Sequence, residues 1–575
     1  MDIKLELAKK ISTETGLDLD EIISAIEIPT NTEMGDYSFP CFRLSKTLKK
    51  APPLIAAELT EKLSAAFAAD KLSFVEAVEA VAGYVNFRLS KEFIVSQAFN
   101  VILEKGKDYG RSDIGAGKTI VIDYSSPNIA KPLHVGHIRS TMIGAAICKT
   151  LRFLGYHVVG INYIGDWGTQ FGKVAIAINK WGGGADSALA NDGKSLVKLY
   201  VKFHEEAEED PSLIDEARAY TVRMESGDED ALALWRNICD VSRREIDVTY
   251  ARLGLEFESY RGESYYNDKM APVVQELRDK GLLTESQGAQ VVMLDEWNMP
   301  PSLILRSDGG TLYPTRDIAS VKDRYELYNF HKALYVTGVE QKLHFAQWFK
   351  IVELMGYEYA KDLEHIDFGL YSLESGKQST RKGSTVFLDE LLDEAKNRTL
   401  EIINERNPEL ADKEIVAEQV GVGAIIFNDL YNNRIKDFVF SFEKILNFEG
   451  ETGPYVQYSA ARANSVLEKA GVDVAKIKES NINYSFITDK ASVEIAKLIY
   501  AYPDKILESA KRYEPYIIAR HLMAIAQAFN YFYHENPILT ADPETRDARL
   551  AVVYSVREVL KAGLALLNIS APEKM

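Results

Sequence analysis

The string His134-Val135-Gly136-His137 sets two imidazoles one helical turn apart. At a helix start they share one face, Gly136 withholds a side chain where a ligand must come close, and the helix N-terminus favours anionic phosphate. That combination suits holding the oxygens of a triphosphate. Composition alone would produce His-x-Gly-His in a chain of this size only about once in a hundred. Histidines that merely cap a helix are the competing reading, and the better one for either residue alone. For the pair, placed after a strand, phosphate contact is the expectation.

The neighbouring residues predict what positions the pair. Thr119-Ile120-Val121-Ile122 is an apolar, β-branched run suited to a buried strand, and the polar loop Ser125-Ser126-Pro127-Asn128 follows it. Ile138, Met142, Ile143, Ile147, Leu151 and Leu154 recur at helical spacing with Gly155 as the stop, and a second strand is expected from Val158 to Ile164. This is a βαβ unit with its special loop at the carboxyl end of the first strand, where open parallel sheets bind ligands. Charged helical stretches around 175–300, such as Glu205-Glu206-Ala207-Glu208-Glu209-Asp210, read as an insertion. Strand-like segments return at Val291 to Leu294, Leu303 to Leu305, Ala333 to Val336 and Ile366 to Leu370, alternating with helical ones. The expected fold is therefore an α/β, Rossmann-like catalytic domain over 113–388, a doubly wound parallel sheet with an inserted segment. Residues 1–112 read as a small α/β N-terminal domain, from the helical spacing of Leu5, Ile11, Leu17, Ile22 and Ile23 and the alternating strand Tyr84 to Leu89. Glycine and small polar residues at 111–118 mark a linker. Residues 389–575 read as all-α, with Leu522, Ile525, Phe529 and Phe532 at core spacing.

Composition narrows the function classes. At 575 residues, 46% hydrophobic and 26% charged, the chain has the make-up of a multidomain globular protein. Its 67 Lys plus Arg against 85 Asp plus Glu give a formal charge of −18, so bulk attraction to DNA or anionic membrane is not expected and any RNA contact must use local basic patches. Three scattered cysteines, Cys41, Cys148 and Cys239, support neither a disulfide framework nor a cysteine zinc site. With no apolar run of membrane-spanning length and no signal-peptide core, the expected location is the cytoplasm.

At its histidine string the chain resembles the class I aminoacyl-tRNA synthetases. The wider string from Ser125 to Thr141 is similar specifically to arginyl-tRNA synthetases, and the similarity continues through Gly165 to Gly172, Tyr313 to Asp317, the stretch 377–383 and Ala571 to Met575. The resemblance implies ligation of L-arginine to tRNA(Arg) by a monomer. ATP, with Mg2+ on its phosphates and no protein-bound zinc, would first give arginyl-adenylate and pyrophosphate, and the arginyl group would then pass to the terminal adenosine of the tRNA. It also implies that arginine activation requires bound tRNA. His134, Gly136, His137, Gly338 and Val339 would contact ATP. Asp123, Tyr313 and Asp317 would hold the arginine side chain, since a planar guanidinium with five donors matches carboxylates at its edges. Tyr313 and Asp317, four residues apart, can line one wall together. Asn128 and Gln341 would meet the amino and carboxylate ends, and Ser125 completes the arginine-binding set. For each aspartate taken alone, capping a helix or ending a strand is the better reading; together with the motifs, the pocket reading prevails.

The family's mobile Lys-Met-Ser-Lys-Ser loop corresponds here to Lys377-Gln378-Ser379-Thr380-Arg381-Lys382-Gly383, with glutamine for methionine and threonine for the second lysine. Attack on the α-phosphate builds negative charge that cations must meet. Lys131 is expected to replace the missing cation, with Lys377 and Lys382 as the other catalytic lysines. His344 reads as structural, and Asp166-Trp167-Gly168 as support beneath the site. For tRNA, Arg43, Lys46, Lys49 and Lys50 form a basic cluster, with Tyr84 and Asn86 on the strand that would face the outer corner. Tyr455, Gln457, Tyr458 and Arg462 could meet anticodon bases, while Phe529, Phe532 and Tyr533 read as core. A lysine-specific class I synthetase, a non-catalytic RNA-binding relative and a small-molecule adenylyltransferase are the alternatives.

Overall fold

The computed structural model describes residues 3–29, 34–70, 74–129, 133–185, 187, 189–307, 310, 312–373, 387–471, 482–487 and 489–575. The chain divides into two compact units, one of residues 1–109, 466–502 and 527–559, the other of 110–465, 503–526 and 560–575.

In the first unit an antiparallel sheet of order β1-β3-β2 joins β1 (Tyr37–Pro40), β2 (Val75–Val81) and β3 (Tyr84–Leu89). Around it lie α1 (Ile3–Thr15), α2 (Leu19–Ala25), α3 (Leu44–Leu48), α4 (Pro52–Ala68) and α5 (Lys91–Lys105). Lys497 Nζ ties the helix Lys490–Arg512 to this sheet through Asp36 Oδ1 at 2.5 Å, and Asp36 Oδ2 accepts the Leu89 N–H.

The second unit is built on a parallel sheet of order β10-β9-β4-β5, from β4 (Thr119–Asp123), β5 (His157–Ile161), β9 (Lys332–Gly338) and β10 (Leu363–Phe368). Ile120, Val121 and Ile122 are all buried, as a parallel strand covered on both faces requires. The chain runs from β4 outward to β5, then returns to the other side of β4 to place β9. The carboxyl ends of β4 and β9 therefore flank the point where strand order reverses, the crevice in which such sheets bind ligands. After β4 comes α6 (Val135–Phe153), and after β9 comes α13 (Lys342–Leu354). Val121, Val159, Ile161, Ala333 and Tyr335 of the sheet share one core with Ile318 and Val321 of α12 (Tyr313–Tyr328) and Trp348, Ile351 and Val352 of α13.

Between β5 and β9 the chain inserts α7 (Thr169–Trp181), α8 (Gly193–Glu209), α9 (Ser212–Glu225), α10 (Glu229–Arg252) and α11 (Met270–Asp279). Then come β6 (Thr284–Ser286), β7 (Ala289–Val292) and β8 (Ser302–Leu305). The strand-like runs at 291–294 and 303–305 are thus strands of a separate antiparallel sheet, β6-β7-β8, and not members of the parallel one. Short apolar runs carry no mark of which sheet will pair them. Beyond α14 (Leu388–Arg406) and α15 (Lys413–Leu430) the elements among the described residues are helical, apart from β12 (Phe438–Phe440), which pairs in parallel with β11 (Tyr371–Leu373).

Candidate active site

Asp123 ends β4, and the backbone then turns through two non-glycine residues of positive φ, Ser125 at +68° and Ser126 at +44°. Each such residue costs about 1–3 kcal/mol and persists only where its surroundings hold it. The Ser125 N–H donates to Ser140 Oγ at 3.0 Å, the Ser126 N–H to Asn162 Oδ1 at 3.2 Å, and the Ser126 hydroxyl to Asp123 Oδ1 at 2.6 Å. The Ser125 hydroxyl, expected at the ligand, is instead buried against Thr141 Oγ1 (2.8 Å) and Tyr250 OH (2.7 Å), so it secures the loop. Exposed Asn128 pairs its backbone with Gly165, and a Cβ on Gly165 would stand 1.9 Å from Asn128 Oδ1. Only glycine leaves room for that side chain.

His134 caps α6 and His137 is its third helical residue. The Gly136 N–H donates to His134 Nδ1 at 3.1 Å and the His134 N–H to His137 Nδ1 at 3.0 Å, a reciprocal capping box. Capping and phosphate contact, opposed readings of the sequence, are compatible. A neutral ring that accepts at Nδ1 carries its proton on Nε2, so both imidazoles are fixed as Nε2 donors at a helix N-terminus. The rings lie 3.9 Å apart, and a Cβ on Gly136 would approach His134 Cε1 to 2.9 Å.

Asp123 is nearly inaccessible, and its Oδ2 accepts from Arg324 Nη2 at 2.7 Å. Burial pushes its carboxyl up, against the pull of Arg324 and Ser126. The aspartate expected to face a substrate guanidinium thus already holds a resident one, whose plane lies near the rings of Tyr163 and Tyr335. Asp317 is more open and is bound by His344 Nε2 at 2.6 Å, so His344 orients that carboxylate rather than serving only the core. Tyr313, one turn earlier, is 65% exposed. Glu263, 3.4 Å from Arg316, is pushed up to about 7, first by burial and then by Asp166 and Asp317, with Arg316 opposing. The buried Tyr163 hydroxyl has no hydrogen-bond partner among the described residues and lies within electrostatic reach of Asp317 and Glu263. Two carboxyls and an unsatisfied hydroxyl suit a ligand rich in N–H donors.

At the end of β9, Gly338 and Val339 lead to exposed Gln341, the N-cap of α13. Asp166 accepts the backbone N–H and hydroxyl of Ser264, and so has the supporting role expected of it. Fully buried Arg139 donates to the carbonyls of Gly369 (3.2 Å), Arg434 (3.0 Å) and Lys436 (2.8 Å), clamping α6 beside the end of β10. The Leu388 N–H donates to Leu133 O at 2.9 Å, which joins the start of α14 to the histidine motif. Lys131, Lys377 and Lys382 lie outside the described residues.

Of the residues expected at tRNA, Arg43, Lys46, Lys49 and Lys50 are exposed, although Lys50 is held by Glu58, and Tyr84 packs edge-on to exposed Phe42. Asn86 is turned inward, where Ser38 Oγ donates to its Oδ1 at 2.6 Å, so its side chain serves the sheet. Gln457 is likewise buried, donating to the Gln419 and Ser570 carbonyls. Tyr455 is half-buried, and the Arg462 guanidinium lies over the Tyr458 ring at 4.7 Å. Phe529 and Phe532 are core, but Tyr533 is exposed. Among the described residues no group of three or more His, Cys, Asp or Glu could hold a metal ion, and no helix is long and apolar enough to cross a membrane.

Three family models match the chain: the catalytic domain of tRNA synthetases class I (R) at residues 98–442, the DALR anticodon binding domain at 456–575, and the arginyl tRNA synthetase N terminal domain at 1–89. The chain belongs to the arginyl-tRNA synthetase family. It is 50% identical to an arginine–tRNA ligase of Halothermothrix orenii over 100% of both chains. It is 47% identical to that of Clostridioides difficile over 97% of both. The solved structure of Thermus thermophilus arginyl-tRNA synthetase matches with a TM-score of 0.81 at 26% identity, covering 100% of both chains. Arginyl-tRNA synthetases activate arginine with ATP and transfer it to tRNA, and this chain is an enzyme of that activity.

Proposed function

We propose that arginyl-adenylate forms in the crevice between the ends of β4 and β9, with ATP phosphates on the His134 and His137 Nε2 donors and the arginine side chain at Asp317. The observation that supports this reading is the reciprocal capping of the two histidines, in which each Nδ1 accepts a backbone N–H and the ring proton of each sits on Nε2. Gly136, Gly338 and Val339 complete the ATP contacts. Tyr313 and Asp317 receive the guanidinium, Asp123 shapes the floor in its pair with Arg324, and Asn128, the Ser125 backbone and Gln341 place the arginine ends. The arginine carboxylate attacks the α-phosphate, the bond to the pyrophosphate oxygen breaks, and pyrophosphate leaves. No protein nucleophile is needed, because positioning and charge stabilisation suffice. Mg2+ carried on the ATP phosphates would supply neutralising positive charge there.

Lys131 supplies the cation absent from the 377–383 stretch, alongside Lys377 and Lys382. Residues 1–112 meet the outer corner of tRNA(Arg) through Arg43, Lys46, Lys49 and Tyr84, residues 113–388 do the chemistry, and residues 389–575 meet the anticodon through Tyr455 and Arg462. We further assign the chain to the cytoplasm as a monomer that activates arginine only with tRNA bound. Pyrophosphate exchange by His134→Ala and His137→Ala tests the reading. Each loses about 10²–10³ in kcat, the worth of one donor aimed at developing charge, against a cap loss of about 1 kcal/mol in stability. Unimpaired exchange in either variant overturns it. Exchange with and without total tRNA tests the dependence on tRNA.

A further inference from the structure

Tyr250 belongs to α10 of the inserted segment, yet its hydroxyl stands inside a chain of hydrogen bonds that ends on the histidine helix. The two ends fix the direction of every bond. Asn162 Oδ1 accepts the Ser126 N–H, and its amide donates to Tyr250 OH at 3.0 Å. At the far end the Thr141 hydroxyl donates to the His137 carbonyl at 2.7 Å, so it accepts from Ser125 Oγ at 2.8 Å. The one proton of Ser125 is then used, and across 2.7 Å Tyr250 must be the donor. The order is Asn162 amide, Tyr250 hydroxyl, Ser125 hydroxyl, Thr141 hydroxyl, His137 carbonyl. The four side chains of the chain, Asn162, Tyr250, Ser125 and Thr141, are buried, so a missing link leaves a polar group unsatisfied.

This chain braces Ser125 and Ser126 in their left-handed conformations, and Ser126 in turn donates to Asp123. The same turn of α10 grips the helices that follow the catalytic segment. Thr249 Oγ1 donates to Asp389 Oδ1 at 2.8 Å, and Arg252 pairs with Asp393 at 2.8 Å and Glu418 at 2.9 Å. The Asn568 amide donates to the Leu253 carbonyl at 2.6 Å.

We propose that Tyr250 is a positioning residue for arginine activation, holding the Ser125–Ser126 turn, and with it Asp123 and Asn128, in register with the turn of α10 that binds α14 and α15. This rests on the placement of arginine against Asp317 and Asn128. The test is arginine-dependent ATP–pyrophosphate exchange, with total tRNA present, by Tyr250→Phe, Ser125→Ala, the double variant and Asp317→Asn. Tyr250→Phe raises the KM for arginine about fivefold, the worth of one net buried hydrogen bond, and leaves the KM for ATP unchanged. Ser125→Ala cuts the same chain one link on and gives the same split, also serving should Tyr250→Phe fail to fold. The double variant is no worse than either single one, because the two act as a unit. Equal shifts in both KM values, no shift, or multiplying effects overturn the role of Tyr250. If Asp317→Asn leaves the KM for arginine unchanged, the placement of arginine fails instead.

Discussion

Arg324 Nη2 donates to Asp123 Oδ2 at 2.7 Å, both side chains sealed from solvent beneath the arginine pocket proposed above. The site proposed to take a guanidinium already contains one. Asp123 is thereby neutralised and held, and the more open Asp317 is left to receive substrate charge.

Removing one partner of such a pair leaves an uncompensated buried charge. Arg324→Gln is expected to destabilise the protein by about 3–5 kcal/mol. Its thermal unfolding midpoint falls accordingly, more than that of Asp317→Asn, and equal midpoints would refute the pair's importance.

Gly165→Ala tests the contact on the other side of the β4 loop. The new Cβ would overlap Asn128 Oδ1 at 1.9 Å, so the asparagine must move. A displacement of about 1 Å in a reacting site costs on the order of a hundredfold. Exchange activity should drop by about that factor while the circular dichroism spectrum is retained; wild-type activity in the variant contradicts the placement of Asn128.

His344→Ala removes the 2.6 Å partner of Asp317. Losing a charge-assisted bond of about 1.5–3 kcal/mol should raise the KM for arginine about tenfold or more. The KM for ATP, measured in the same assay, should not move.

Glu263 supplies a pH dependence. Its carboxyl is pushed from 4.5 to about 7 in the folded chain, mainly by burial. Between those values the folded state holds a proton that the unfolded state has released, so stability falls as pH rises through that window. Glu263→Gln should flatten the dependence of the unfolding midpoint on pH from 5 to 7. A cation arriving beside Asp317 should also drive the proton off, so titration calorimetry in two buffers at pH 6.5 should show proton release on arginine binding in the wild type and none in the variant.

The β4–loop–α6 unit was legible because its signals are local: four β-branched residues, a polar loop, histidines at helical spacing and a glycine stop. What the sequence hid depends on distant segments meeting. Arg324 lies 201 residues from Asp123, and only the sheet brings β4 beside α12, although its spacing of seven from Asp317 puts both on one helical face. His344 looked like an ordinary core histidine until the start of α13 came within reach of Asp317. Asn86 and Gln457 have the polarity of RNA contacts, but each satisfies a buried hydrogen-bonding group within its own unit. The Ser125 hydroxyl belongs to the family string, and only the position of Tyr250 shows that it faces inward.

The most direct test is ATP–pyrophosphate exchange with arginine or lysine, total tRNA present, by the wild type and Asp317→Asn. The expected result is exchange with arginine and not lysine, and a KM for arginine raised at least about tenfold in the variant, as loss of a charged partner predicts. Exchange supported by lysine, or an unchanged KM in Asp317→Asn, would contradict the assignment of this crevice as the arginine-activating site.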